Sequence, residues 1–241
     1  MLRFAVILAI WPVALPAAGR GTFGPFVRSL NDTPHGYADV PAPTPMAPTA
    51  MVERFELRPG DCGSHRGWSD CRTDRERSEL SELGPRSRAG EVAWYGWWVH
   101  LPPDWPDVWP AKTTIAQFHQ EDSHPVWMFL HKGGALVIDN QSTGRTTETV
   151  PIIAPEALRG RWHRIEVFAR WSRGSDGQFA VYVNGDLRFA HEGPTMTARK
   201  VYFRYGVYRS FVSRHDGPAP TQIAYFAAVR KARDRAALAI Q

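Results

Sequence analysis

The chain has 241 residues, of which 43% are hydrophobic and 22% charged, a balance that excludes an intrinsically disordered or collagen-like chain. Its length suits a single all-β sandwich or barrel. The formal net charge is +5, yet among the 29 basic residues only Lys112, Lys132, Lys200 and Lys231 are lysines, the rest being arginines.

That bias carries information, because arginine forks match planar carboxylates and sulfates. Nucleic acid is not the expected partner, since no stretch gathers the charge into a basic arm or helix. In chain order, Arg3 precedes an apolar run from Phe4 to Val13, and small residues follow at Ala14, Ala17 and Ala18. This is the order of a secretory signal peptide over residues 1–18, cleaved after Ala17 or Ala18. The run is too short and too rich in proline for a membrane anchor. Residues 19–50 are rich in Gly, Pro and Thr and read as an extended linker or strap. Export also suits the two cysteines, Cys62 and Cys71, which are expected to close a short surface loop as a disulfide. A zinc site with His65 as third ligand would lack a second ligand pair.

From Met51 onward the pattern is one of short apolar–polar alternations broken by Gly, Pro, Asp and Asn. Strands are predicted at Val52–Arg58, Arg75–Leu80, Glu91–Leu101, Thr113–Gln120, Val126–His131 and Ala135–Asp139. More follow at Trp162–Trp171, Gln178–Val183, Leu187–His191, Val201–Ser210 and Gln222–Val229. Asn184-Gly185 is a two-residue hairpin turn between two of these runs, and Gly174 to Gly177 turns the chain just before. Only the tail, Val229 to Gln241, reads as helical. The expected fold is therefore all-β: one antiparallel β-jelly-roll sandwich over residues 51–241.

Residues two apart in a strand share a face, and three strands present an unusual outer face. Arg77 pairs with Glu79 on one, Gln117 with His119 on the next, and Tyr202, Arg204, Gly206 and Tyr208 share a side on the third. Phe203, Tyr205 and Val207 lie opposite. Taken singly, each set has a structural explanation: an ion pair, a satisfied core amide or good strand formers. All three sets together would line one concave sheet.

In that order, Arg77-Ser-Glu-Leu80, Gln117-Phe-His119 and Tyr202-Phe-Arg-Tyr-Gly-Val-Tyr208 resemble the three signature strands of the β-jelly-roll polysaccharide lyases. These include the alginate lyases, with Arg-x-Glu-Leu, Gln-Ile-His and Tyr-x-Lys-x-Gly-x-Tyr motifs, and the heparin lyase I and glucuronan lyase groups. Residues 54–62 and 91–102 resemble the latter two groups more. The resemblance spans roughly residues 50–230. It departs at Arg204, where alginate lyases have Lys, at Ser210, where they often have Gln, and at Ser81 after the Glu-x-x pattern. It implies a concanavalin-like sandwich and a secreted or periplasmic lyase, a monomer without a membrane anchor. The substrate implied is an anionic, uronate-containing polysaccharide.

The residue types suit that chemistry. β-Elimination removes the C5 proton of a uronate, breaks the bond to O4 and leaves a C4–C5 double bond. Donors that neutralise the carboxylate stabilise the enolate-like transition state. Gln117 and His119 are expected to do so, with Arg77 adding charge. Tyr208 is expected to protonate O4 and, for syn groups, to take the C5 proton as well, with His119 the base for anti groups. Arg204, Tyr202 and Glu79 are expected at the substrate. The histidines His119, His124 and His131 are spread over two strands and a loop, so no metal or other cofactor is expected. The last strand, Tyr225-Phe-Ala-Ala-Val229, offers no acidic ligand for a structural calcium. Trp94, Trp97 and Trp98 fall on both faces of one strand, so packing accounts for part of that cluster and sugar stacking for one at most. Asn31-Asp-Thr33 and Asn140-Gln-Ser142 are glycosylation sequons. Two alternatives share the fold. A lectin-like binding module needs no Tyr208 facing Gln117 and His119. A glycoside hydrolase needs paired carboxylates, and the Glu-x-Asp-x-x-Glu strand of laminarinase-type sandwiches is absent.

Overall fold

The computed structural model describes residues 24–65, 67–143 and 148–239. The expected signal peptide, 1–18, lies outside the described residues. In chain order the strands are β1 (Phe26–Arg28), β2 (Tyr37–Pro41), β3 (Met51–Leu57), β4 (Ser64–His65), β5 (Trp68–Ser69) and β6 (Arg75–Glu82). Then come β7 (Ser87–Arg88), β8 (Val92–His100), β9 (Lys112–Gln120), β10 (Pro125–Lys132), β11 (Ala135–Asn140) and β12 (Glu148–Ile153). The last five are β13 (Trp162–Arg170), β14 (Gln178–Val183), β15 (Asp186–Glu192), β16 (Lys200–Ser210) and β17 (Gln222–Ala232).

Two large antiparallel sheets stack face to face. One runs β1-β6-β16-β9-β10-β11-β12, with β7 attached to β16, and the other runs β15-β14-β13-β8-β17-β3-β2. Between them lies a core built from the inward half of each alternation. Phe203, Tyr205 and Val207 of β16 and Ala116 and Phe118 of β9 meet Tyr95 and Trp97 of β8 and Phe179 and Val181 of β14. Each such large side chain contributes about 1.5–3 kcal/mol by leaving water. The Gly- and Pro-rich segment lies on the sandwich and adds an edge strand to each sheet. Its β1 pairs with β6 and its β2 with β3.

The jelly-roll sandwich is as the alternation predicts, and Asn184 and Gly185 both take positive φ in the β14–β15 turn, as a two-residue hairpin requires. Several readings need correction. The tail does not form the expected helix: β17 stays paired with β8 as far as Ala232 against Trp94, and among the described residues only one 3-10 turn, Ala236–Leu238, follows. The paired partner strand overrides the tail's helical propensity there. Strand β12 was not predicted, because Pro151 breaks its pattern; as the edge of its sheet it tolerates that proline. Trp94 and Trp98 lie on the second sheet, apart from β6, β9 and β16. Trp94 packs on Phe168 and Tyr182, and Trp98 joins a cluster with Trp162 on the outer face of that sheet. Both sequon asparagines are buried, and Asn31 already donates its Nδ2 to the Arg77 carbonyl at 2.8 Å. Neither offers an amide to a glycosyl group.

Candidate active site

Register across the first sheet sorts its outer face into rows. One row reads Ser81, Arg204, Gln117, Met128, Asp139 and Thr149 across β6, β16, β9, β10, β11 and β12. Another reads Arg77, Tyr208, Thr114, Leu130, Val137 and Pro151 over the same strands. Tyr202 and His119 are paired beyond the first row. The structure thus brings Arg77, Glu79, Gln117, His119, Tyr202, Arg204 and Tyr208 onto one face of one sheet. A bulge between Tyr205 and Tyr208 sets their spacing. Gly206 within it has φ +131°, and a Cβ there would lie 2.3 Å from the Ser78 carbonyl oxygen and 2.8 Å from the Phe55 ring. Only glycine fits.

At the Tyr208 end, Arg75 Nε donates to the Tyr208 hydroxyl at 2.8 Å. The Arg77 guanidinium lies 4.6 Å from the centre of the Tyr208 ring. Burial pushes the Tyr208 phenol above its ordinary pKa, while Arg77 and Arg75 pull it back down. The hydroxyl is therefore protonated at neutral pH, beside two cations that favour its anion.

Arg77 is committed to carboxylates of this chain. It makes a fork on Asp70, through Nε to Oδ2 and through Nη2 to Oδ1 at 2.8 Å, and it donates Nη1 to Glu79 at 3.1 Å. Glu79 is 0% exposed and touches no solvent. Its other oxygen accepts from Gln117 Nε2 at 2.6 Å. Two acceptors would repel, so Glu79 fixes which end of the Gln117 amide faces it, leaving one Nε2 hydrogen uncommitted. Burial holds the Glu79 carboxyl above the usual range, with Arg77 and Arg204 opposing. Glu79 thus lies beneath the site and orients Arg77 and Gln117, rather than standing in the cleft.

At the other end, His119 Nδ1 lies 2.8 Å from the Gln120 carbonyl. A carbonyl only accepts, so Nδ1 carries the proton and Nε2 keeps its lone pair. Burial, then Arg204, push His119 down to about 3, so it is neutral. The Tyr202 hydroxyl lies 3.2 Å from the same Nδ1 and accepts from Arg204 at 2.9 Å. Arg86 lies 4.3 Å from the centre of the Tyr202 ring. Two arginine-flanked tyrosines therefore stand on β16, six residues apart.

Three contributors escape sequence reasoning. Arg75 and Arg204 make no ion pair among the described residues; Arg75 instead donates to the Tyr208 hydroxyl and lies over the Trp68 ring. Its signal was available: it lies two residues before Arg77 on the same face. Asp70 comes from the loop closed by the Cys62–Cys71 disulfide, whose Cα atoms are 5.2 Å apart. Nothing local in the sequence connects Asp70 with Arg77. Arg86 sits on a loop and bridges to Glu121 at 2.9 Å. Among the described residues no group of three His, Cys, Asp or Glu could hold a metal ion.

A family model described as polysaccharide lyase matches residues 21–230. Among solved structures, the endo-β-1,4-glucuronan lyase of the fungus Trichoderma reesei is similar with a TM-score of 0.62 and 18% identity. The match covers 81% of this chain and 85% of that one. A family 7 alginate lyase with one His and one Tyr substituted, solved with substrate bound, matches with a TM-score of 0.59 and 14% identity over 86% and 91% of the two chains. The alginate lyase from Corynebacterium sp. matches with a TM-score of 0.55 and 17% identity over 86% and 92%. No curated protein sequence matches. At these identities the structural likeness shows the fold.

Proposed function

The chain belongs to the polysaccharide lyase family, and from that premise we propose that it cuts a uronate-containing acidic polysaccharide by β-elimination, leaving an unsaturated uronate at the new end. Lyase membership sets aside the lectin-like and hydrolase alternatives. The observation that carries the substrate class is the Tyr208 hydroxyl, held by Arg75 at 2.8 Å with Arg77 behind its ring. A phenol among guanidiniums suits proton transfer beside an anionic sugar.

In this reading Tyr208 donates its proton to the leaving O4. As the phenolate stabilised by Arg75 and Arg77, it removes the C5 proton when the two groups are syn. Gln117 donates its free Nε2 hydrogen to the substrate carboxylate, held in place by Glu79. Arg75 and Arg204 supply charge that this chain's own carboxylates do not already neutralise. His119, with its uncommitted Nε2, serves as base when the groups are anti, the substrate carboxylate offsetting the burial and the Arg204 charge that lower its pKa. In this reading side chains carry both proton transfers, and a chelator should leave turnover unchanged. We further propose export, supported by Arg3 with its following apolar run and by the Cys62–Cys71 bridge.

The test is a substrate screen. Purified protein is incubated with glucuronan, alginate and heparin while the ultraviolet absorbance of the conjugated C4–C5 double bond is followed. Rising absorbance on at least one is expected. Reducing ends without absorbance would contradict the elimination.

A further inference from the structure

The outer face of the first sheet does not end at Tyr208. On the strands two and three places over, Leu130 of β10 and Asp139 of β11 floor a cavity of about 230 Å³, roofed by loops carrying Trp109 and Phe211, with Lys112 and Arg214 on its walls. These residues are outside the proposed catalytic set. Leu130 lies in the Tyr208 row and Asp139 in the Gln117 row. At the usual strand spacing the floor stands about 10–14 Å from the strand of Tyr208.

Both roof rings are presented to solvent, Trp109 at 50% and Phe211 at 37% exposure. Phe211 has φ +58°, a left-handed conformation that a bulky residue keeps only where the surroundings enforce it. Here Asp74 enforces it: its carboxylate accepts from the Ser213 N–H and from the Ser213 hydroxyl, each at 2.8 Å. The adjoining turn therefore displays the Phe211 ring instead of burying it. The charge balance is specific too. Lys112 is paired with Asp139 at 2.7 Å. Arg214 lies 4.1 Å from the centre of the Phe211 ring, and Lys132 5.0 Å from that of Trp109, and neither makes an ion pair among the described residues. Apolar faces for the C–H side of a pyranose stand beside cations for its acidic group. Continuity with the site runs through Arg75, which touches the Tyr208 hydroxyl and lies 5.8 Å from the centre of the Phe211 ring.

We propose that the cavity between Trp109 and Phe211 is a distal sugar-binding subsite that holds one anionic pyranose of the polymer, a few units from the bond cut at Tyr208. The subsite rests on the polyuronate reading above, and it makes affinity depend on chain length. Oligosaccharides too short to reach it bind through the Tyr208 region alone.

The experiment titrates Tyr208→Phe protein with hexasaccharides and disaccharides of glucuronan and of alginate, and with neutral cellohexaose, by calorimetry. Absorbance of any unsaturated product is read in parallel, so that residual cleavage, which would count against the role of Tyr208, is seen separately. Adding Trp109→Ala or Arg214→Gln should weaken hexasaccharide binding about tenfold and leave disaccharide binding unchanged. Trp109→Phe, which keeps an aromatic face, should restore most of it, and thermal unfolding should show the variants folded. Unchanged hexasaccharide affinity in both variants, equal losses for hexasaccharide and disaccharide, or cellohexaose binding as tightly as the acidic hexasaccharides would overturn the proposal. If no acidic oligosaccharide bound, hexasaccharide or disaccharide, the polyuronate reading itself would be overturned, and the subsite with it.

Discussion

Asp70, the residue next to Cys71, closes both carboxylate oxygens on the Arg77 guanidinium, and the pair is sealed from solvent. The disulfide loop thereby holds the charge that underlies the Tyr208 ring. Removing one partner of a buried pair leaves an uncompensated charge, which costs about 3–5 kcal/mol. Asp70→Ala should lose stability on that scale in urea unfolding. A loss below about 1 kcal/mol would mean that the pair contributes little.

Gln117→Ala deletes the amide that Glu79 orients. Loss of one such donor lowers turnover by about a hundred- to thousandfold, with residual activity from Arg75 and Arg204. Gln117→Glu sets a second carboxylate against Glu79 and should be worse than alanine. If the glutamate variant were the more active of the two in steady-state kinetics, the Glu79–Gln117 hydrogen bond would not be orienting a donor.

Arg75 should tune the pH profile. The Arg75 cation favours the Tyr208 phenolate, while burial opposes it. If the phenolate takes the C5 proton, kcat/KM rises on the alkaline side, and Arg75→Gln should move that rise to higher pH. A rise that stays in place, with only KM altered, would reduce Arg75 to a substrate contact.

His131 is buried beside Asp107, at 3.6 Å, and burial pushes it down to about 4, with Asp107 opposing and Arg159 assisting. In the unfolded chain it titrates near 6.5. Between these values the unfolded state binds the extra proton, so the stability contributed is full above about 6.5 and is lost as pH falls toward about 4. His131→Phe should therefore gain stability relative to the parent between about pH 7.5 and about pH 4.5 in paired urea titrations. A relative loss on acidification would contradict the depressed pKa.

The period-two alternation made the large side chains of β16 legible, though not the bulge at Gly206. Phe203, Tyr205 and Val207 face the core and Tyr202, Arg204 and Tyr208 face out, because a one-residue slip would invert every side chain. The disulfide was legible from its short spacing and the Asn184-Gly185 turn from its chemistry. Asp70 was not, since its partner is chosen by how a loop folds back on β6. Nor was the burial of Glu79, because alternation assigns a face and does not say how deep a residue sits on it. The tail misled for a related reason: its helical propensity is local, while its pairing with β8 is tertiary. For the two tyrosines the alternation puts both hydroxyls on one face, and only the structure shows that each has its own arginines and that Tyr202 alone touches His119.

That symmetry sharpens the decisive measurement, which compares Tyr208→Phe and Tyr202→Phe on the best-cleaved uronate polymer, following double-bond absorbance. Each substitution removes one hydroxyl and keeps the ring. If Tyr208 carries the proton to O4, Tyr208→Phe abolishes turnover with substrate affinity nearly intact, and Tyr202→Phe retains most of its activity. Near-normal turnover in Tyr208→Phe together with a dead Tyr202→Phe would contradict the account and move the chemistry to the Tyr202–His119 pair.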